Sequence, residues 1–263
     1  MLSGPIRQAV VLAAGDGDRM GELTRDVPKP LLPVVGRPLV SLTLQGLRGA
    51  GIEDVVVVIG YHADRVRDLL GDGRAWGLRV RYAENPDYHA GNLGSLLAAR
   101  SALAPGAFLL AMADQMLSAR LLAALCGAGP QPLPRGGGGV AADFGPWRAE
   151  VVDEATRIRT DGAGRVLEIG KGLAEFDALD AGGFVLDGDV WQAASARGGL
   201  APGSELSALM QILADERRLR AVDVSGSPWH DVDTPRDLEV AEAFAAGVRL
   251  AVREGRRADG RRN

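Results

Sequence analysis

The 263-residue sequence predicts an α/β protein: a three-layer arrangement in which a mostly parallel sheet is covered by helices on both faces. Three observations carry this expectation. Gln8 to Ala13, Asp54 to Ile59 and Ala107 to Met112 are near-continuous apolar runs of strand length, with Leu78 to Tyr82 among them. Helical periodicity fills the gaps, from Leu39 to Ala50 and from Ala63 to Leu70. Each of those stretches is closed by a glycine, Gly51 and Gly71. In such sheets ligands bind beyond the carboxyl ends of the strands, and the motifs described below fall there.

Further helices are expected from about Leu93 to Leu103 and from Ala119 to Cys126. Gly127 to Gly139 is rich in glycine and proline and reads as a loop. Thr156 to Thr160 and Arg165 to Ile169 flank Asp161-Gly162-Ala163-Gly164, which predicts a small hairpin insertion in the second half. A short strand from Gly183 to Leu186 follows, then helices near Val190 to Ala196 and Glu205 to Ala214. Thr234-Pro235-Arg236-Asp237 supplies an N-cap, a first-turn proline and an acidic third position for a closing helix. The division is one domain over 1–245 and a basic tail over 246–263. With six arginines from Arg249 onward, that tail reads as a partly disordered, solvated end and not as a nucleic-acid arm.

Composition narrows the function classes. The chain is 46% apolar and 24% charged with a net charge of −4, which argues against a protein-wide nucleic-acid surface. Its longest apolar stretch, Ala107 to Ala113, is far too short to cross a bilayer. The run Ala9 to Ala14 leads straight into Gly15-Asp16-Gly17-Asp18-Arg19 and does not read as a secretory signal. A single cysteine, Cys126, allows no internal disulfide and suits a reducing, cytoplasmic setting. Of 30 basic residues, 28 are arginine and only Lys29 and Lys171 are lysine, so these two positions invite a reason for a compact ammonium.

Gly15-x-Gly17 after a strand prompts a dinucleotide fingerprint, but Met20 stands at the third glycine and no acidic residue ends a second strand about 20 residues on. A Walker A loop fails for want of Gly-Lys-Ser/Thr. What the stretch does offer is bare backbone N–H groups that a polyphosphate can approach, with Arg19 able to fork onto phosphate oxygens. Lys29 sits between Pro28 and Pro30, so its ammonium is presented from a stiff segment. A fixed point charge suits a phosphorus centre that gains charge in its transition state. On its own, Pro-Lys-Pro is more often a surface turn.

The combination resembles the signature of the nucleotidyltransferases that make sugar nucleotides and CDP-alcohols. It runs Leu12-Ala13-Ala14-Gly15-x-Gly17-x-Arg19-Met20-Gly21-x-Leu23-Thr24, then Pro28-Lys29-Pro30-Leu31-x-Pro33-Val34-x-Gly36-x-Pro38-Leu39. The likeness continues to about residue 245. Its second half is most similar to the inositol-1-phosphate cytidylyltransferases, through Asp153-Glu154-Ala155-Thr156, Ile169-Gly170-Lys171-Gly172-Leu173, Asp180-Ala181-Gly182-Gly183-Phe184-Val185 and Trp229-His230-Asp231-Val232-Asp233-Thr234. The resemblance implies a Rossmann-like nucleotidyltransferase fold of GT-A type. It also implies Mg²⁺ as cofactor, with Asp114 as one metal ligand.

Asp231 and Asp233 alternate and would share a face if extended. One of them is expected by resemblance to complete the metal site, with Asp231 favoured, while His230 points the other way as a structural residue. Lys171 falls on the acceptor-phosphate position. Asp180, Gly182 and Gly183 are expected to line the acceptor pocket, glycine permitting close approach of a polyol. Leu12, Ala13, Ala14, Gly15, Asp16 and Gly17, with Asn85, Gly91, Asn92 and Ser95, are the expected nucleotide-binding set. The two asparagine amides suit the edge of a base, although Asn92 and Ser95 equally suit capping of the next helix. Leu93 stands where these cytidylyltransferases show a second glycine, and Gln115 where a histidine is common.

The implied reaction is attack by an acceptor phosphate on the α-phosphorus of a nucleoside triphosphate, CTP being favoured and inositol-1-phosphate the leading acceptor. Arg19, Lys29 and Lys171 are the catalytic set. Phosphocholine, a phosphonate or a sugar phosphate are alternative acceptors. A catalytically silent nucleotide-binding module and an NAD-linked oxidoreductase are the readings of another class. The partners expected are small molecules, with no nucleic acid and no membrane segment, and a homodimer is left open.

Overall fold

Strand alternation divides the apolar residues of each central strand between two cores. In strand β1 (Gln8–Ala13), Ala9, Val11 and Ala13 enter one core, while Val10 and Leu12 enter the other. Side chains of successive residues project to opposite faces, so a strand apolar throughout must be covered on both. The computed structural model describes residues 5–127, 133–147, 149–196, 204–243 and 245. The tail expected over 246–263 lies outside the described residues.

After β1 the chain makes 3-10 turns over Asp18–Thr24 and Lys29–Leu31, a two-residue pairing of β2 (Pro33–Val34) with β3 (Arg37–Pro38), and helix α1 (Val40–Gly49). Strand β4 (Asp54–Ile59), α2 (Ala63–Leu70) and β5 (Arg79–Glu84) follow, then α3 (Asn92–Ala98). Next come β6 (Phe108–Met112), β7 (Gln115–Leu117), α4 (Ala119–Gly127), β8 (Gly138–Asp143) and α5 (Ala149–Glu154). The hairpin of β9 (Arg157–Thr160) and β10 (Val166–Gly170) leads to β11 (Ala178–Leu186). Helices α6 (Trp191–Ala196) and α7 (Leu206–Asp215), strands β12 (Leu219–Asp223) and β13 (Trp229–Asp231), and helical residues 235–243 complete the described chain.

The main sheet has nine strands, ordered β10-β9-β11-β6-β1-β4-β5 with β8 and β12 branching from β11. Its core, β6-β1-β4-β5, is parallel. Strand β11 runs antiparallel to β6, β8 and β9, so the sheet is mixed beyond the core. The chain proceeds outward from β1 through β4 to β5 and then returns to place β6 on the other side of β1. That reversal opens a crevice at the carboxyl ends of β1 and β6. A third small core of Val34, Leu39, Met116, Val232, Ala241 and Ala245 holds the β7–β13 ribbon over it. No described helix is long and apolar enough to cross a membrane.

Several expectations shift. The glycine-rich stretch expected as loop to Gly139 enters strand β8 at Gly138. Its glycines are required by crowding: a Cβ on Gly138 would lie 2.6 Å from the Val185 carbonyl, and one on Gly139 2.9 Å from Val222. Strand β11 begins five residues before the expected Gly183, because its first half carries a bulge between Asp180 and Phe184 that reads locally as a turn. Helix α3 ends at Ala98 and tightens into a 3-10 turn over Ala99–Ala102 in place of running to Leu103. Helix α5 and strand β12 were not expected, being short and weakly patterned. The hairpin agrees with expectation: Asp161 Oδ1 accepts the N–H groups of Ala163 and Arg165, each at 2.9 Å.

Candidate active site

The turn after β1 is shaped by Gly17, at φ +72°, which begins the 3-10 turn with its carbonyl accepting Met20 N–H at 2.8 Å and Thr24 Oγ1 at 3.1 Å. No side chain covers Gly15, and a Cβ added there would meet nothing within 4 Å. Gly17 has the opposite surroundings, since a Cβ there would lie 2.9 Å from Lys29 Cβ and 3.2 Å from Lys29 Cδ. The glycine therefore makes the slot through which the Lys29 stem runs.

Lys29 is 6% exposed, and its ammonium lies 2.6 Å from Asp114 Oδ2 and 2.8 Å from Asp233 Oδ1. Burial works to lower its pKa, but Asp114 and then Asp233 outweigh that, and the net direction is upward. Lys29 is thus held as a cation and has no proton-accepting role. Arg19, largely exposed at the mouth, reaches the same Asp233 Oδ1 at 2.8 Å. Asp114 sits in the turn between β6 and β7, Asp231 ends β13, and Asp233 lies two residues on.

Asp231 is enclosed. Burial first, then the charges of Asp114, Asp233 and Asp180, push its carboxyl up to about 7. Its Oδ1 accepts no hydrogen bond. Asp180 is likewise pushed up to about 7 by burial, against the Gly182 N–H that donates to its Oδ1 at 2.8 Å. An enclosed carboxylate oxygen lacking a donor, close to a second carboxylate, is donor chemistry that a hard divalent cation takes up. Asp114 and Asp231 fit such an ion, whereas Asp233 gives one oxygen to both Lys29 and Arg19 and acts as the counter-charge of those cations. Among the described residues no three acidic, histidine or cysteine side chains form a closed metal cage. Two carboxylates with waters and substrate phosphate are the usual Mg²⁺ arrangement.

These groups line a cleft of about 570 Å³. Of the residues expected from sequence, Leu12, Ala13, Ala14, Gly15, Asp16, Gly17, Arg19, Lys29, Gly91, Asn92, Ser95, Asp114, Lys171, Asp231 and Asp233 all border it. Asn85, Asp180, Gly182 and Gly183 do not. Asn85 is buried, donating to Ser95 Oγ at 3.0 Å and accepting Asp87 N–H at 3.1 Å, so its amide is engaged inside the loop. Ser95 lies within α3 and caps nothing. Asn92 caps a different helix from the one expected: its Oδ1 accepts Leu206 N–H, at 2.5 Å, at the start of α7. Gly183 faces Leu125, Leu121 and Leu117 in the core, and Gly182 faces Gln115, so neither glycine borders acceptor space. His230 points away toward Asp237, as expected.

The cleft also holds residues the sequence did not single out. The Tyr88 and His89 rings meet at a tilt with centroids 4.3 Å apart, and His89 Nδ1 lies 3.1 Å from Asp16 Oδ2. Aromatic rings directly before Gly91-Asn92 were the available signal. Glu205 also borders the cleft, and no local pattern marks it.

Residues 9–167 match the MobA-like NTP transferase domain family. The chain belongs to that family. Among similar proteins, the "Bifunctional IPC transferase and DIPP synthase" of Rubrobacter xylanophilus is 40% identical over 253 residues, covering 94% of this chain and 54% of its own length. The "CMP-5'-(3-aminopropyl)phosphonate synthase" of Streptomyces rubellomurinus is 47% identical over 107 residues, 40% of this chain and 17% of its own. This MobA-like chain therefore spans about half the length of the first relative. The solved "inositol-1-phosphate CTP transferase from T. maritima" superposes with a TM-score of 0.78 at 24% identity, covering 92% of this chain and 96% of its own. That likeness is one of fold, and it agrees with the Rossmann-like nucleotidyltransferase architecture.

Proposed function

We propose that this chain transfers CMP from CTP to the phosphate of a phosphorylated polyol, inositol-1-phosphate being the leading acceptor, with release of pyrophosphate. The observation that carries the reading is the buried Lys29 ammonium between Asp114 and Asp233, set beside the open glycine loop of the MobA-like domain. The acceptor follows the Rubrobacter relative, whose match extends over nearly the whole chain. The phosphonate synthase matches only 40% of it and supports the cytidine nucleotide more than the acceptor.

In this mechanism an acceptor phosphate oxygen bonds to the α-phosphorus as the bond to the bridging oxygen of the leaving pyrophosphate breaks. The second pKa of a phosphate monoester is about 6, so the nucleophile is already ionised near neutrality and no side chain need take a proton. The upward shift of Lys29 suits this, because the residue is a fixed positive charge for the α-phosphate. Arg19, held lightly by Asp233 at the mouth, and the bare N–H groups around Gly15 take the β- and γ-phosphates. Lys171, exposed at the border of the cleft, anchors the acceptor phosphate. Asp114 and Asp231 would hold Mg²⁺. When bound, Mg²⁺ supplies charge neutralisation and alignment of the phosphates.

The test is pyrophosphate release with CTP, UTP, ATP and GTP, each against inositol-1-phosphate, phosphocholine, 2-hydroxyethylphosphonate and glucose-1-phosphate. Turnover is expected for CTP with inositol-1-phosphate and should be abolished by EDTA. Preference for another pair would replace the substrates. Absence of nucleotide binding, read by thermal shift, would overturn the reaction itself.

A further inference from the structure

Gln115, only 6% exposed, lies where three elements meet under the cleft floor. It is the cross-strand partner of Asp231 in the β7–β13 ribbon, so the two side chains project from one face. Its Oε1 accepts Met112 N–H at 3.1 Å, closing the turn that carries Asp114. With the oxygen so engaged, the NH₂ group is the half of the amide left to the Asp231 side of the ribbon, where Gln115 lowers the carboxyl of Asp231 against burial. On the remaining side, a Cβ on Gly182 would lie 2.1 Å from Nε2, and Gly182 adopts φ +87°. The Gln115 backbone is pinned as well, its carbonyl accepting Thr43 Oγ1 from α1 at 2.8 Å.

Both halves of the amide are therefore assigned. The oxygen bonds to the Asp114 turn, and the nitrogen lies between Gly182 and the cross-strand partner Asp231. A glutamate of the same length cannot donate to a carboxylate, and a methionine fills the space without bonding to either. We propose that Gln115 is a positioning residue: its amide sets the Asp114 turn and the Asp231 carboxylate at the mutual placement a divalent cation requires. Gly182 is glycine to leave room for that amide. The inference rests on Asp114 and Asp231 being the cation ligands. Such outer hydrogen bonds change metal affinity by about 10- to 100-fold when removed.

The experiment is Mn²⁺ binding to the full chain, read by loss of the free aqua-ion signal in electron paramagnetic resonance, with and without CTP. Gln115→Met is expected to weaken Mn²⁺ binding at least tenfold while keeping a cooperative thermal transition. Gly182→Ala, which displaces the amide from the other side, is expected to produce a similar loss. The double variant should bind no more weakly than the weaker single one, since both act through one group. A folded Gln115→Met chain with wild-type Mn²⁺ affinity would overturn the inference, as would additive losses. If Gly182→Ala does not fold, Gln115→Glu takes its place, with the same tenfold loss expected. A wild-type chain that binds no Mn²⁺ in either condition would overturn the cation assignment and this inference together. Wild-type binding with unaffected variants would overturn the positioning role alone.

Discussion

The Lys29 end of the cleft and its two flanks are built differently. At the first, the Lys29 stem runs against Gly17, and its charge is met by two carboxylates from distant parts of the chain. On the flanks, the polar side chains that look suited to reading substrate are turned to internal work. Asn85 braces its own loop and Asn92 holds the start of α7, while Tyr88, His89, Lys171 and Glu205 face the cleft with more freedom. The contrast teaches that enclosure fixes the charges at the Lys29 end, while the flanks present more exposed side chains to the cleft.

The sharpest way to break that contrast is Lys29→Arg. Charge is retained, but the larger guanidinium has to displace the two carboxylates that enclose the ammonium, and turnover is expected to fall by about 10²- to 10³-fold, as when one fixed transition-state donor is lost. Steady-state rates at saturating substrates would show it, and near-normal turnover would mean that the enclosure does not matter. Gly17→Ala attacks the same slot from the other wall. It combines a positive φ with a contact at 2.9 Å and should cost about 1–3 kcal/mol in thermal unfolding, with the remaining folded enzyme impaired.

On the flank, Asn92→Ala is expected to cost about 1 kcal/mol through the freed Leu206 N–H, while Asn92→Asp keeps the acceptor and most of the stability. Neither should change the ratio of CTP to UTP turnover. A changed ratio would show that Asn92 reads the base after all. The smallest effect is expected farthest away. Asp161, pulled down to about 2 first by the Arg165 backbone N–H and then by its guanidinium, favours the fold above its unfolded pKa near 3.8. That contribution fades as pH falls through 2. Asp161→Asn should therefore lower the melting temperature slightly at pH 7, and the difference from wild type should vanish near pH 2.

What the sequence made legible follows the range of the interactions. The signature from Leu12 to Leu39 is nearly contiguous, and its glycines and prolines act on their own neighbours, so the loop could be read residue by residue. The ion pairs of Lys29 span 85 and 204 residues, and no spacing rule predicts them; only resemblance brought Asp114, Asp231 and Asp233 to one place. An amide is harder still, because a side chain suited to a base edge is equally suited to a helix start in another part of the chain, as Asn92 shows. Gly182 and Gly183 are indistinguishable on paper, yet alternation along β11 turns one toward Gln115 and the other into the leucine core. Strand β8 was hidden because crowding selects glycine there, and glycine carries no strand signal.

The slot around Lys29 has a consequence at the level of mutation and drift. Twenty-eight of the thirty basic residues in this chain are arginine, which points to a coding bias that turns lysine into arginine wherever the change is tolerated. At position 29 the head group is enclosed, with Asp114 at 2.6 Å and Asp233 at 2.8 Å, so the larger guanidinium would have to push both carboxylates aside. The residue stands against the trend of the whole sequence because a few ångströms of space admit one cation and refuse the other.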